Sequence, residues 1–205
     1  LNNSPETYKA MVLMAAAFER QDNFSFAQAE LAKAFEASNK DAEVARQFAR
    51  FLLRRKNTER AEEVLEDSLS VNPRNVENLR LLASIRLAKQ DWRGAEEVGD
   101  MLTRAGQDNG LASTVKSAAY VGLQDYDSVI ETLSAQNANA PLTGASLNAL
   151  IDAYIREDRV GEAEELLARM LDADPEHYGA RLLLARVYLA KGEKENYESA
   201  LLRAT

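Results

Sequence analysis

The sequence predicts an all-α fold, a stack of antiparallel helix pairs, and three observations carry that expectation. Leu147, Leu150, Ile151 and Tyr154 form one apolar stripe, and Arg156 to Arg159 break it. Ala163, Leu166, Leu167 and Met170 form a second stripe, and Asp174-Pro175 ends the unit. Apolar residues at i, i+3, i+4 and i+7 make an amphipathic helix, so this stretch reads as two helices joined by a tight turn. The same template returns 34 residues away in both directions. The chain is also rich in Ala, Leu, Glu, Arg and Gln, with only four prolines and nine glycines, a composition that favours helix and leaves little for long loops.

The repeat can be followed from end to end. Each unit is numbered so that Ala163 is position 20 and Pro175 is position 32. Position 20 then holds Ala27, Ala61, Ala95, Val129, Ala163 and Tyr197, and position 8 holds Ala15, Ala49, Ala83, Ser117, Ile151 and Ala185. Leu31, Leu65, Gly99, Leu133, Leu167 and Leu201 occupy position 24, while Phe18, Leu52, Arg86, Tyr120, Tyr154 and Tyr188 occupy position 11. Pro5, Pro73, Pro141 and Pro175 share one column, with Asn39 and Gln107 in its two gaps. The expected organisation is one solenoid over 1–205, with repeats at 8–41, 42–75, 76–109, 110–143, 144–177 and a truncated 178–205. Six units in phase without an insertion establish an internal repeat.

Small residues at positions 8 and 20 let the helices of a hairpin approach closely. Large ones at 4, 7, 11 and 24 fill the space between hairpins, each buried Leu contributing roughly 1.5–3 kcal/mol. Proline at 32 stops one helix and suits the first turn of the next. A single hairpin cannot bury both faces, so neighbours must stack into a superhelical solenoid. A 34-residue helix–turn–helix with small residues at 8 and 20, an aromatic at 11 and Pro at 32 resembles the tetratricopeptide repeat. The resemblance spans Tyr8 to Thr205 and implies a right-handed superhelix that binds protein segments.

Departures from the pattern cluster in the middle. Arg86 stands where an aromatic belongs, Gly99 replaces Leu, Lys116 replaces the apolar residue of position 7, and Gln136 enters a small-residue column. The junction Gly106-Gln107-Asp108-Asn109-Gly110 has two glycines and no proline. Packing is expected to be loosest over 99–118 and 134–142, with a bend there. Arg86 is expected to reach an acid or a helix edge, because a lone buried charge costs several kcal/mol. Tyr197 at a small position suits the end of an array, and Pro5, in the column that ends a preceding unit, points to further repeats upstream.

Composition removes several function classes. A net charge of −8 argues against nucleic acid, since phosphate binding needs a basic face. The absence of cysteine excludes disulfides and thiolate chemistry, and fits cytosol and periplasm alike. With His177 the one histidine, no metal site, cofactor site or acid–base triad is expected. His177 reads as solvent-facing filler at a helix start. No stretch approaches the roughly 18 apolar residues of a membrane span, and Met11–Phe18 reads as helix core. The chain begins at Leu1 without a methionine or signal peptide, which reads as a piece of a longer protein with any targeting signal upstream. The pairs Glu62-Glu63, Glu96-Glu97 and Glu164-Glu165 recur at positions 21 and 22. They read as first-turn acids complementing the helix dipole rather than as a catalytic pair.

What remains is a groove. The tetratricopeptide resemblance implies that positions 2, 5, 9, 12 and 13 of the first helices line a concave face. Arg46, Arg50 and Arg54 fall at i, i+4, i+8, one side of a helix, with Arg80 and Ser84 expected on the neighbouring helix. Converging guanidinium groups in an acidic protein make a candidate carboxylate site. Asn148, Asp152, Arg156 and Arg186 give a second, mixed lining beside Tyr178, Leu182 and Leu189. Some family members clamp a peptide's terminal carboxylate with Lys at 5, Asn at 9 and Asn at 6. Here Arg46 and Arg50 take the first two places and Leu81, Leu111 and Val115 stand at the others, a departure from that clamp. The function expected is a non-catalytic scaffold binding a protein or peptide, with an acidic segment, in the groove. The alternative is an assembly module of a larger bacterial cell-envelope protein serving pilus, outer-membrane or exopolysaccharide machinery.

Overall fold

The computed structural model describes residues 5–106, 110–142 and 144–202. They form twelve α-helices, and no strand occurs among them. The protein is an all-α helical repeat array. It divides into two compact units, Leu1–Ala112 and Ser113–Thr205, and the division falls inside the 99–118 stretch. Residues 107–109 of that junction lie outside the described residues. Among the described residues, no helix is long and apolar enough to cross a membrane.

The first unit contains α1 (Pro5–Arg20), α2 (Phe24–Ala37), α3 (Ala42–Arg54), α4 (Thr58–Val71), α5 (Val76–Ala88) and α6 (Trp92–Arg104). Consecutive helices pair as hairpins, α2 packs on α3, α4 packs on α5, and α3 also touches α5. The second contains α7 (Leu111–Leu123, whose first two residues precede the division), α8 (Tyr126–Asn139), α9 (Gly144–Arg156), α10 (Val160–Ala173), α11 (Tyr178–Lys191) and α12 (Lys194–Leu202).

The small columns do what their size dictates. At position 20 Ala27, Ala61, Ala95, Val129 and Ala163 are all fully buried, and position 8 is buried throughout. Tyr197 is only half-buried. In the second unit Ile130, Leu133, Leu147, Leu150, Ile151, Tyr154, Leu167 and Leu183 form one core cluster.

A column without any shared chemistry turns out to share a conformation. Asp22, Lys56, Gln90, Gln124, Asp158 and Gly192, spaced by 34 residues, all adopt a left-handed backbone with φ between 55 and 76°. In every repeat the amide of the next residue donates to the carbonyl of position 11, at 2.8–3.0 Å. This is the Schellman closure of a helix. In three repeats that next residue, Asn57, Asp91 or Asp125, also caps the second helix through its side chain. One residue ends a helix and starts another. Where proline is missing, between α2 and α3, Asn39 and Lys40 both turn left-handed instead.

Several expectations change. Met11–Phe18 is not all core: Ala15 is buried, but Leu13 and Met14 are 72% and 49% exposed. α8 runs on to Asn139, residues 138–141 are exposed, and Leu142 is buried beyond them, its amide donating to Asn137 Oδ1 at 3.1 Å, so most of 134–142 is helical although it packs little surface away. His177 is no filler. Its Nδ1 accepts from the Ala180 amide at 3.1 Å and caps α11. The paired glutamates lie in the second turn, because α4 begins at Thr58 and α10 at Val160. Glu62 there accepts from Lys89 at 2.6 Å and Glu164 from Lys191 at 2.7 Å, so in these two repeats the column ties the second helix to the first helix that follows, whereas Glu96 accepts from Arg93 on its own helix.

Arg86 meets the expectation set for it. Its guanidinium donates to Glu62 Oε1 at 2.9 Å, Glu66 Oε1 at 2.5 Å and the Gly94 carbonyl at 3.0 Å. A Cβ on Gly94 would meet the Asp91 carboxylate at 2.1 Å and Arg86 Cδ at 2.8 Å, so the glycine makes room for both the cap and the arginine. Gln136 is less well served. Its buried Oε1 has no partner among the described residues, whereas Leu102 fills that column without loss in α6. Gln136→Leu is expected to stabilise the protein by about 1 kcal/mol in a urea melt, since an unpaired buried acceptor is removed.

Candidate functional site

In the first unit α3 supplies Arg46, Arg50 and Arg54, and α5 supplies Arg80 and Ser84. Asp41 starts α3 by accepting from the Glu43 and Val44 amides at 3.0 and 3.1 Å. Val44, Phe48 and Phe51 are buried on one side, which leaves the three arginines on another. They do not converge as free charges. Arg46 is half-buried, ion-paired to Glu43 and bonded across to Asn78 Oδ1 on α5 at 3.2 Å. The Gln47 amide bonded to Glu43 and the Arg46 and Arg50 charges hold that carboxyl below its ordinary value, against the opposing effect of burial. Arg54 reaches back to α1 and forks onto Glu19, with contacts at 2.8 and 3.0 Å. Arg50 and Arg80 are exposed and make no hydrogen bond or ion pair among the described residues. Ser84 turns its hydroxyl to the Leu81 carbonyl at 2.7 Å. A cleft of about 180 Å³ lies between α1 and α3, lined by Val12, Ala16, Glu19, Arg50 and Arg54 among others.

The second unit holds two larger openings, one of about 500 Å³ lined by Leu171, Arg181, Leu184 and Tyr188 among others, and one on the first-helix face. α9 and α11 flank a cleft of about 460 Å³ lined by Asp152, Ile155, Arg156, Arg186, Leu189 and Ala190. Asp152 and Arg186 both stand at position 9 of their repeats and form an ion pair across the two helices. Asn148 donates to the Gly144 carbonyl at 2.9 Å and accepts from Arg186 at 3.5 Å. Arg156 lies over the Tyr126 ring, 5.1 Å from its centroid, a cation–π contact that holds the guanidinium in place. Leu189 and Tyr178 are 62% and 60% exposed. The cleft therefore offers an apolar floor of Ile155, Leu189 and Ala190 beside one held arginine and one paired one. Sequence reasoning found Asp152, Arg156, Arg186 and Leu189. It missed Ile155, Ala190, Tyr126 and Glu19, whose roles depend on distances between helices rather than on any local pattern.

Hairpins repeating at 34 residues, closed by the same turn and presenting polar first-helix faces, define a helical-repeat protein. Two family models, both of the tetratricopeptide repeat, match residues 46–110 and 154–196. The chain belongs to the tetratricopeptide repeat family. No curated protein sequence matches it. Among solved structures it is similar to YrrB, described as a TPR protein with an unusual peptide-binding site (20% identity, TM-score 0.64, 85% of this chain and 90% of that one). It is also similar to MamA from Desulfovibrio magneticus RS-1, residue 41 to the end (21%, 0.65, 82% and 94%). PilW, described as a widely conserved type IV pilus biogenesis factor, matches at 13% identity with TM-score 0.62 over 96% of this chain and 91% of that one. At these identities the likeness is one of fold.

Proposed function

We propose that this protein is a non-catalytic scaffold that holds a segment of another protein against its first-helix faces. The observation that carries the reading is the cleft between α9 and α11, where exposed Leu189 lies beside Arg156 and the Asp152–Arg186 pair. An extended or helical segment with an apolar side chain and an adjacent carboxylate fits that chemistry: the apolar group covers Ile155 and Leu189, and the carboxylate meets Arg156. Arg50 and Arg80 offer further acidic contacts in the first unit. The peptide-binding site for which YrrB is described supports the general mode, and the net charge of −8 disfavours nucleic acid.

Capture from native extract tests it, with wild type beside Arg156→Glu/Leu189→Asp and Arg50→Glu/Arg80→Glu variants. All four residues are exposed, so helicity should be unchanged by circular dichroism. A protein retained by wild type, lost by the first variant and released by salt is the expected result. Equal retention by all three would remove the groove from consideration.

A second reading is an assembly module of a bacterial envelope complex. The fold likeness to PilW and to PilF of Pseudomonas aeruginosa favours it, and it places the same cleft on an assembly partner.

A further inference from the structure

An apolar column runs down position 12 of the first helices. It holds Leu53 and Leu87 in the first unit and Ile155 and Leu189 in the second, each pair 34 residues apart. Leu53, Leu87 and Ile155 are half-buried, Leu189 is 62% exposed, and Val121, at the same position of α7, is 41% exposed. Glu19 of α1 departs from the column. A lone exposed leucine is ordinary, but one position kept apolar through successive helices on a polar face is a pattern that the packing of the repeat does not require. Leu53 falls three residues after Arg50 and shares its helix side, and Ile155 and Leu189 line the α9–α11 cleft beside Arg156.

The spacing of the column selects a backbone. α3 packs on α5 and α9 on α11, so residues at one position of such a pair stand about as far apart as the helix axes, roughly 8–10 Å. An extended strand returns a side chain to the same face every ~6.4–6.8 Å, which is too short. An α-helix does so at about 5.4 Å per turn, or about 10.5 Å over seven residues, which straddles the interval. A polyproline II helix has three residues per turn at about 3.1 Å each, a period of about 9.3 Å that falls within it.

The charges beside the column point the same way. Arg50, Arg80 and Arg156 are exposed and make no hydrogen bond or ion pair among the described residues. A guanidinium offers only donors. An α-helix arrives with its carbonyls already bonded, whereas a polyproline II segment has no internal hydrogen bonds and presents every carbonyl outward. Acidic residues on that segment complement the same arginines.

Resting on the groove reading above, we propose that the segment held there is a polyproline II stretch with an apolar residue at every third place. One apolar side chain lies against Ile155 and the next against Leu189, while carbonyls or a flanking carboxylate of the segment accept from Arg156. Leu53 and Leu87, with Arg50 and Arg80, offer the same step in the first unit.

Three labelled peptides titrated against the full chain by fluorescence anisotropy test it. The first is Glu-Leu-Pro-Pro-Leu-Pro-Pro-Leu-Glu, with leucines three apart. The second, Glu-Pro-Leu-Pro-Leu-Pro-Leu-Pro-Glu, has the same composition with leucines two apart. The third is a stapled α-helix with leucines seven apart and glutamate at each end. The first should bind at least about tenfold more tightly than either other, since in them the second leucine misses its place. Leu87→Ala/Leu189→Ala should weaken it at least about tenfold, whereas Val71→Ala, which removes an exposed apolar side chain from α4, should leave it unchanged. Equal binding of the two proline peptides, tighter binding of the helix, or no binding of the first peptide up to about 1 mM overturns the proposal. Binding that ignores Leu87→Ala/Leu189→Ala overturns it as well. Capture from extract then separates the two failures: a protein still lost by Arg156→Glu/Leu189→Asp keeps the groove and discards its polyproline II occupant.

Discussion

Phe48→Ala is expected to destabilise the protein by about 3–5 kcal/mol, whereas Met14→Ala, at the same position of the preceding repeat, costs less than about 1 kcal/mol. Phe48 is 1% exposed and its ring lies tilted against that of Phe35, so its removal leaves a cavity between α2 and α3 that neighbours in a close-packed core cannot fill. Met14 already shows half its surface to solvent, and little is lost with it. Chemical denaturation of the two variants beside wild type measures the contrast. In a repeat protein the Phe48 effect is also local in origin, so amide exchange should rise first across α2 and α3. Equal losses at the two sites would mean that the α1 face is covered.

Arg86→Ala is expected to cost about 3 kcal/mol. The side chain is 14% exposed and Glu62 13%, so truncation strands a shielded carboxylate with Lys89 as its remaining partner. Burial pushes the Glu62 carboxyl up, but the hydrogen bonds from Lys89 and Arg86 outweigh it and hold the group below its ordinary value. Burial likewise works against the Arg86 charge, and its bonds to Glu62 and Glu66 more than compensate. The sign of the pH dependence follows. A carboxyl lowered on folding contributes stability that is present above its unfolded value, roughly pH 4, and is lost as pH falls through the folded one. Wild type should therefore lose stability on acidification below about pH 4.5, and Arg86→Ala should lose less over the same range. Urea melts at pH 3.5 and 7 on both proteins decide it, and parallel pH curves would show that the pair carries no net linkage.

Much of the fold was legible because it rests on size and period. Ala61, Ala95 and Ala163 could be placed in the hairpin seam from spacing alone, and they are fully buried. Arg86 could be assigned an acid or a helix edge as its partner, because a shielded guanidinium left unpaired costs several kcal/mol. The left-handed column could not be read, since Asp, Lys, Gln and Gly share no side-chain chemistry and the backbone state is set by the closing hydrogen bond. His177 as a cap escaped notice because its role comes from one ring nitrogen meeting the Ala180 amide, not from residue type. The groove was legible by halves. Spacing put Arg46, Arg50 and Arg54 on one helix side, but the reach of Arg46 to Asn78 and of Arg54 to Glu19 depends on neighbouring helices and decides which charges stay free.

The shared turn residue has a consequence for how such a chain can change length. Because Asn57, Asp91 and Asp125 each close one helix and open the next, adding or deleting a single residue there would spoil both at once. Drift by small indels is thus penalised inside these three hairpins. Gain or loss of a whole 34-residue cassette keeps every closure intact. Evolution and engineering alike would lengthen or shorten this protein by whole cassettes, and would adjust its binding surface by substitution within them.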